Sequence, residues 1–386
     1  MSNYIKRTFD RLRPTFDEGG RLHALHSVFE GMESFLLVPN TTSRTGGVSI
    51  HDAIDSKRIM SIVVIALLPA LLFGMYNVGY QNYAAAGAEG SVLELFAYGF
   101  LRLLPKIVVS YLVGLGIEFI FAQVKHEEIQ EGYLVTGMLM PLILPINCPL
   151  WMMALAIAFA VIFVKEIFGG TGMNIFNVAL AARAFLFFSY PSKMSGDSVW
   201  VAKDQIFGLG NVLPDTYTTA TPLGLANAGE HVGTSLNDMI VGLIPGSVGE
   251  TSVIAIAIGA VILLWTGVAS WKTMLSVFVG GALTAALFHS TGLSELTWYE
   301  HLFLGGFCFG AVFMATDPVT SARTETGKYF YGLLIGVVAI LIRVLNPGYP
   351  EGMMLAILLM NIFAALFDYL VVDRNIRRRA KRVLNK

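Results

Sequence analysis

Charged side chains are scarce in this 386-residue chain, at 14% against roughly a quarter in soluble domains, while 55% of residues are apolar. With a mean hydropathy of +0.65, that balance excludes an ordinary soluble domain and predicts an all-α, polytopic membrane protein. Cysteine is scarcer still. Cys148 and Cys308 stand far apart, which excludes a disulfide framework and a four-cysteine iron–sulfur cluster supplied by this chain alone. No long apolar run begins before about Ile59, so the polar opening is not read as a secretory signal. A net charge of −1 gives no overall attraction to nucleic acid.

What charge there is lies unevenly. Arg374, Arg377, Arg378, Arg379, Lys381, Arg382 and Lys386 crowd the last residues, and Lys6, Arg7, Arg11, Arg13, Arg21, Arg44, Lys57 and Arg58 precede the first apolar run. By the positive-inside rule both termini are expected in the cytoplasm, which demands an even number of crossings. The basic tail abuts an apolar helix, which favours a membrane-surface role over a nucleic-acid one. Phe9, Leu12, Phe16, Leu22, Leu25 and Phe29 are scattered through the opening, so residues 1–58 read as a cytoplasmic arm lying along the membrane or a partner.

Runs of about 17–25 apolar residues, shorter where Gly or Pro interrupts, give about ten crossings. The spans fall near residues 59–76, 105–123, 132–147, 149–167, 174–190, 251–270, 272–289, 299–316, 327–345 and 353–372, with an extra half-helix near 91–104. The two halves share a pattern. A short helix broken at Met140-Pro141 and Leu144-Pro145 precedes a long one ending at Lys165 and a turn into Asn174-Ile175-Phe176. In the second half the break is Ala315-Thr316-Asp317-Pro318, the long helix ends at Arg343, and Asn346-Pro347-Gly348-Tyr349-Pro350 leads into Asn361-Ile362-Phe363. Five crossings per half is an odd number, so residues 59–190 and 251–372 are expected as inverted repeats. Broken helices in such repeats expose backbone groups for a midplane site; simple proline kinks satisfied by neighbouring helices are the alternative.

Between the halves, residues 191–250 are rich in Gly, Ser, Thr, Asn and Asp and are expected on the outer side, with 373–386 a basic cytoplasmic tail. The run Asp215-Thr216-Tyr217-Thr218-Thr219-Ala220-Thr221 concentrates hydroxyls within this interval. It reads either as an attachment site for a phosphoryl-linked group or as a loop whose side chains bond their own backbone.

Ionisable groups within apolar segments cost about 2.5–3.5 kcal/mol on insertion scales, which makes Glu118, Arg183, Asp317 and Asp368 functional candidates. Glu118 follows Val113-Gly114-Leu115-Gly116-Ile117, where glycines would admit a flat ring against the helix. Asp368 reads equally as an interface residue near Arg374. Lys165, Glu166 and Arg343 lie close enough to helix ends to snorkel. The stretch Lys165–Asn177 fails as a dinucleotide fingerprint, since the spacing is wrong and no strand precedes it. It works as a tight glycine turn leading to Asn174 and Asn177, one helical turn apart. Their carboxamides suit the mixed donor–acceptor edge of an isoalloxazine, although Asn174 also reads as a plain helix cap.

Lys165 to Phe188, Gly242-Leu243-Ile244-Pro245-Gly246-Ser247-Val248-Gly249-Glu250, Phe313-Met314-Ala315-Thr316-Asp317-Pro318 and Asn346-Pro347-Gly348-Tyr349-Pro350-Glu351-Gly352-Met353 together resemble the B-subunit family of the sodium-translocating NADH:quinone oxidoreductases. The resemblance runs from about Lys57 to Arg379; the D subunits of Rnf complexes share the core. It implies a subunit of a bacterial inner-membrane translocase, with FMN on Thr221 through a phosphoester. Asp215 and Thr218 belong to the same motif, in which Thr219 replaces a usual glycine and leaves Thr218 and Thr219 as rival hydroxyls. It implies a non-covalent riboflavin at Asn174 and Asn177, with Val178 in place of a usual proline. It also implies quinone near Gly114 and Glu118, where Leu115 replaces a second glycine, and sodium at Asp368 with Asp317 a second candidate. Implied partners are subunits carrying the NADH, FAD, FMN and iron–sulfur sites, and a flavin transferase. Arg183 is expected to stabilise a reduced flavin. A secondary transporter or channel without redox chemistry explains the broken helices equally well, but not the threonine run.

Overall fold

The computed structural model describes residues 2–16, 20, 26, 29, 33, 56–125, 132–230, 233–346 and 352–384. These residues form a helical bundle, and among them no strand forms beyond an isolated bridge between Ile206 and Leu209. An amphipathic helix α1 (Ser2–Phe16) precedes the bundle, and Phe9 and Phe16 pack on buried Phe29 while Arg13 pairs with Glu33. Arg21, Leu22, Leu25 and Arg44 lie outside the described residues, as do residues 347–351 of the Asn346–Met353 motif.

All ten expected crossings correspond to helical segments. The first half supplies α2 (Ser56–Ala85), α3 (Val92–Lys125), α4 (Tyr133–Ile143), α5 (Leu150–Ala160, prolonged by a π-helical turn Val161–Glu166) and α6 (Val178–Ser189). The second half supplies α7 (Val253–Trp265), α8 (Trp271–Ser290), α9 (Trp298–Phe303) broken from α10 (Phe307–Phe309, prolonged by a π-helical turn Gly310–Met314), α11 (Glu325–Leu345) and α12 (Met353–Leu384). Five of these helices are long and apolar enough to cross a membrane: α2, α3, α8, α11 and α12. The half-helix expected near 91–104 is not separate. It is the first part of α3, which runs unbroken through Pro105 and, at 1.5 Å per residue, is about 51 Å long, well beyond a hydrocarbon core of about 30 Å.

Small residues let the helices approach at backbone distance, which is what drives packing where water is absent. A Cβ at Gly99 would run into the Met75 carbonyl and one at Gly79 into that of Leu95, so α2 and α3 lie backbone to backbone. Gly280 and Gly336 do the same for α8 and α11, against the carbonyls of Leu333 and Val277.

The helices define two ends. At the basic end Lys125 at the close of α3 pairs with Glu166, and Lys272 opening α8 pairs with Glu325 opening α11. At the far end Asn82 on α2 donates to the carbonyls of Ala202 and Asn211, Arg102 on α3 pairs with Asp204, and Asn147 after α4 donates to Ser198 and Val201. The irregular interval before α7 therefore covers the far end. Helices α2 and α7 run in opposite directions: Ile59 and Leu263 meet at one end, Asn77 and Thr251 at the other. Opposed leading helices are what inverted repeats require.

The last part of that interval does not stay on the surface. Ser247, Val248, Glu250 and Thr251 are buried, the Gly249 N–H donates to the Leu142 carbonyl (2.8 Å), and Asn77 donates to the Ile244 carbonyl (3.0 Å). Residues 244–251 are thus inserted among the helices, where Gly249 and Ile244 find partners for their backbone N–H and carbonyl.

Candidate functional site

Two polar sites emerge, one at each end of the bundle. At the basic end a cleft is bounded by α2, α4, the turn after α5, the start of α6 and the segment after α10, and Lys165, Thr171, Asn174, Asn177 and Asp317 line it. The turn is built as its sequence demands: Gly169, Gly170 and Gly172 all take positive φ (111°, 90° and 91°), a region closed to most side chains. Helix α6 begins at Val178, later than expected, because Asn177 rather than Asn174 caps it. The Asn177 side chain accepts the Leu180 N–H (3.1 Å), while Asn174 folds back onto the Phe176 carbonyl (2.9 Å). The two asparagines are not stacked on one helix face; they flank the turn, yet both reach the cleft. Val178 is the first helical residue, a position that also accommodates proline.

The halves meet at this cleft. Asp317 accepts from the Val319 N–H (3.1 Å) and the Thr320 hydroxyl (2.9 Å), and Asn177 donates to it across the joint at 3.4 Å. Asn361 on α12, its amide oriented to donate to Tyr331 Oη (2.8 Å) and the Ile357 carbonyl (3.2 Å), accepts the Asn177 N–H (3.1 Å). Asp368 is elsewhere. Its carboxylate takes the N–H groups of Arg323 and Thr324 (2.8 Å each) and the Thr324 hydroxyl (2.6 Å), tying α12 to the start of α11; Thr324, not Arg374, is its close partner.

Lys165 does not snorkel. The π-helical turn, in which the Ile167 N–H reaches back to the Ile162 carbonyl (3.1 Å), shifts the register of the last residues of α5 and swings Lys165 into the bundle, 4% exposed. There its ammonium bonds Glu118 Oε1 on α3, while Glu118 Oε2 is buried with no partner among the described residues. Arg343 does not snorkel either. The break between α9 and α10 leaves the carbonyls of His301 and Leu304 without helical donors, and the buried guanidinium supplies them. The ring admitted by Gly114 belongs to the protein. A Cβ there would overlap Tyr133, whose hydroxyl donates to the Ser110 carbonyl (3.0 Å), whereas Gly116 faces open space.

At the far end Thr221 opens onto a smaller cavity walled by Ile244, Gly246, Ser247, Glu250 and Gly305. Thr221 caps the short helix Pro222–Asn227 by accepting the Gly224 N–H (3.1 Å). Of the rival hydroxyls, Thr218 is exposed and neither it nor Thr219 lines this cavity. Asp215 is exposed, with its carbonyl taking the Lys203 ammonium (2.8 Å). Beneath the cavity Glu250 forms a buried pair with Arg183 on α6 (2.7 Å). Sequence reasoning passed over Ser247, Glu250, Tyr133 and Thr171; the one signal was that Glu250 and Ser247 lie in a glycine-punctuated segment just before an apolar run.

A sequence profile described as the NQR2, RnfD, RnfE family matches residues 44–377. The chain belongs to that family. It is similar to proteins named as the B subunits of Na(+)-translocating NADH-quinone reductases from Chromohalobacter salexigens (46% identical, covering 98% of this chain and 96% of the relative), Klebsiella pneumoniae (42%, 98% and 99%) and Azotobacter vinelandii (41%, 98% and 99%). Family membership and the apolar helices together make this a multi-pass membrane protein.

Proposed function

We propose that this chain is the membrane electron-carrying subunit of a bacterial sodium-translocating NADH:quinone reductase, with FMN esterified to Thr221 and riboflavin in the basic-end cleft. The observation that carries the reading is the placement of Thr221: of the rival hydroxyls Thr218, Thr219 and Thr221, it alone lines the cavity walled by buried Ser247 and Glu250. Near-complete coverage of relatives that bear the quinone-reductase name supports that complex over an Rnf complex. One buried hydroxyl in each cavity supports the placement of the two flavins. Among the described residues, Ser247 Oγ at the Thr221 cavity and Thr171 Oγ1 at the cleft are both buried without a hydrogen-bond partner, a costly condition that a polar ligand relieves.

Bound flavins would supply reversible one- and two-electron carriage, which no side chain here supplies. The protein's part is to hold and orient. Thr221 offers its hydroxyl for the phosphoester, Ser247 offers a hydrogen bond in the same cavity, and Asn174 and Asn177 edge the cleft with carboxamides that both donate and accept. Quinone is assigned to α3 near Gly114 and Glu118, and sodium to Asp317 and Asp368. Asp317 shares the cleft with Asn177, so a gain of negative charge there favours a cation close by. The orientation follows from the basic residues: both termini and the cleft face the cytoplasm and Thr221 the outside. Partner subunits would bring the NADH, FAD and iron–sulfur sites, and a transferase would attach the FMN.

Absorption spectroscopy and intact peptide mass analysis of the chain purified after co-production with a flavin transferase test this. About two flavins, with one added FMN minus water on the Thr221 peptide, are expected. A colourless protein of unmodified mass would overturn the reading in favour of a transporter or scaffold.

A further inference from the structure

Lys165 touches both of the sites that the proposed function assigns to the basic end. Its stem lines the cleft with Asn174, Asn177 and Asp317, and its ammonium bonds Glu118 on α3. Lysine and glutamate are each about 5% exposed, so the pair is shut away from water. Three features set the pair apart from a plain structural ion pair. The π-helical turn exists at the point where it turns Lys165 inward, and such turns concentrate at functional positions. Among the described residues Glu118 Oε2 has no hydrogen-bond donor although it is buried, which leaves one oxygen of the carboxylate ready to carry a proton. The carboxylate that does line the cleft is not in that condition: Asp317 is already supplied by Val319, Thr320 and Asn177.

We infer that Lys165 is a shared counter-charge, bound to Glu118 when the cleft holds a neutral occupant and drawn to the occupant when that gains negative charge, whereupon Glu118 takes up one proton from the cytoplasmic side. This rests on the assignment of riboflavin to the cleft. One negative charge appears in the cleft, one proton arrives from water and joins Glu118 Oε2, and Lys165 keeps all three of its ammonium protons. A bare carboxylate in low dielectric is costly once its cation has turned away, so proton uptake follows from charge alone. The groups facing the pair are few. Tyr133 lies beside Glu118 on the α4 side, Glu166 follows Lys165 with its side chain only 9% exposed and its charge paired with Lys125, and Asp317 stands across the cleft. Lys165 acts here as a positioning residue: it sets when Glu118 is protonated, and Glu118, on the helix assigned to quinone, is then a proton donor.

Redox-difference infrared spectroscopy of the purified holo-complex, reduced with NADH, reads the protonation of Glu118 directly. The wild type is expected to gain a carboxylic-acid carbonyl band on reduction, and Glu118→Gln to lack it. Lys165→Arg keeps the charge and retains the redox-linked band. Lys165→Met removes the counter-charge in both states, so the carboxyl band is present before reduction and no longer changes. A band that persists in Glu118→Gln, or that changes with redox state in Lys165→Met as in the wild type, overturns the inference. If Lys165→Met does not assemble, the comparison of wild type, Lys165→Arg and Glu118→Gln still decides it. Riboflavin extracted from each variant separates the two claims: wild-type complex without riboflavin sinks the cleft assignment, whereas normal riboflavin with a redox-silent Glu118 sinks only the role of Lys165.

Discussion

Asn177 at the head of α6 donates to Asp317 after α10 across 3.4 Å, and this contact joins the first half of the chain to the second at the basic end. Both residues sit where a helix gives way to irregular backbone, so a ligand or ion in the cleft touches both halves of the chain at once. Movement of either half would be felt there.

Asp317 and Asp368 are therefore expected to behave differently. Asp317→Asn preserves the shape of the cleft but removes its charge, and should raise the sodium concentration needed for half-maximal quinone reduction with little loss of thermal stability. Asp368→Asn weakens three hydrogen bonds that start α11, and should lower stability by about 1–3 kcal/mol, as for weakened hydrogen bonds to a charged group. Sodium titrations of NADH oxidation and melting curves in detergent check the pair.

Thr221→Ala should abolish in-gel flavin fluorescence, whereas Thr218→Ala and Thr219→Ala should leave it intact. The alanine also removes the cap on Pro222–Asn227, worth about 1 kcal/mol. Thr221→Asn keeps a capping acceptor but has no hydroxyl, so lost fluorescence with unchanged stability in that variant assigns the loss to chemistry and not to structure.

Arg183 and Glu250 give a double-mutant cycle. Arg183→Leu alone removes the cation of a buried ion pair and should destabilise by about 3–5 kcal/mol, and Glu250→Gln alone removes its anion. The double variant should recover much of the loss. If its flavin potentials match those of the wild type, Arg183 serves the fold and not the flavin.

Gly114→Ala should be costly because the new methyl group meets the Tyr133 ring, with overpacking of about 1–3 kcal/mol. Gly114→Ala combined with Tyr133→Leu should regain stability. Gly116→Ala, facing open space, should be neutral in the same melting assay.

The spans were legible because lipid demands long apolar runs, and the glycine turn at 169–172 because positive φ leaves few other choices. Asp317 could be placed at a break because proline follows it. Register was not legible. Nothing in Val161–Glu166 announces the wider turn that buries Lys165, and the end of a helix read as a snorkelling position on distance alone. Arg343 was misread for a related reason: the carbonyls it serves belong to a break 39 and 42 residues earlier. Gly114 and Tyr133, and the insertion of residues 244–251, are tertiary contacts that local pattern does not encode.

Both thiols of the described chain, Cys148 at 3% and Cys308 at 4% exposure, are enclosed by packed side chains. Maleimide reagents applied to intact cells should therefore find no native target in the folded protein. A single cysteine placed at Thr218 or at Lys328 would report its own side of the membrane against a silent background, without prior removal of either natural thiol.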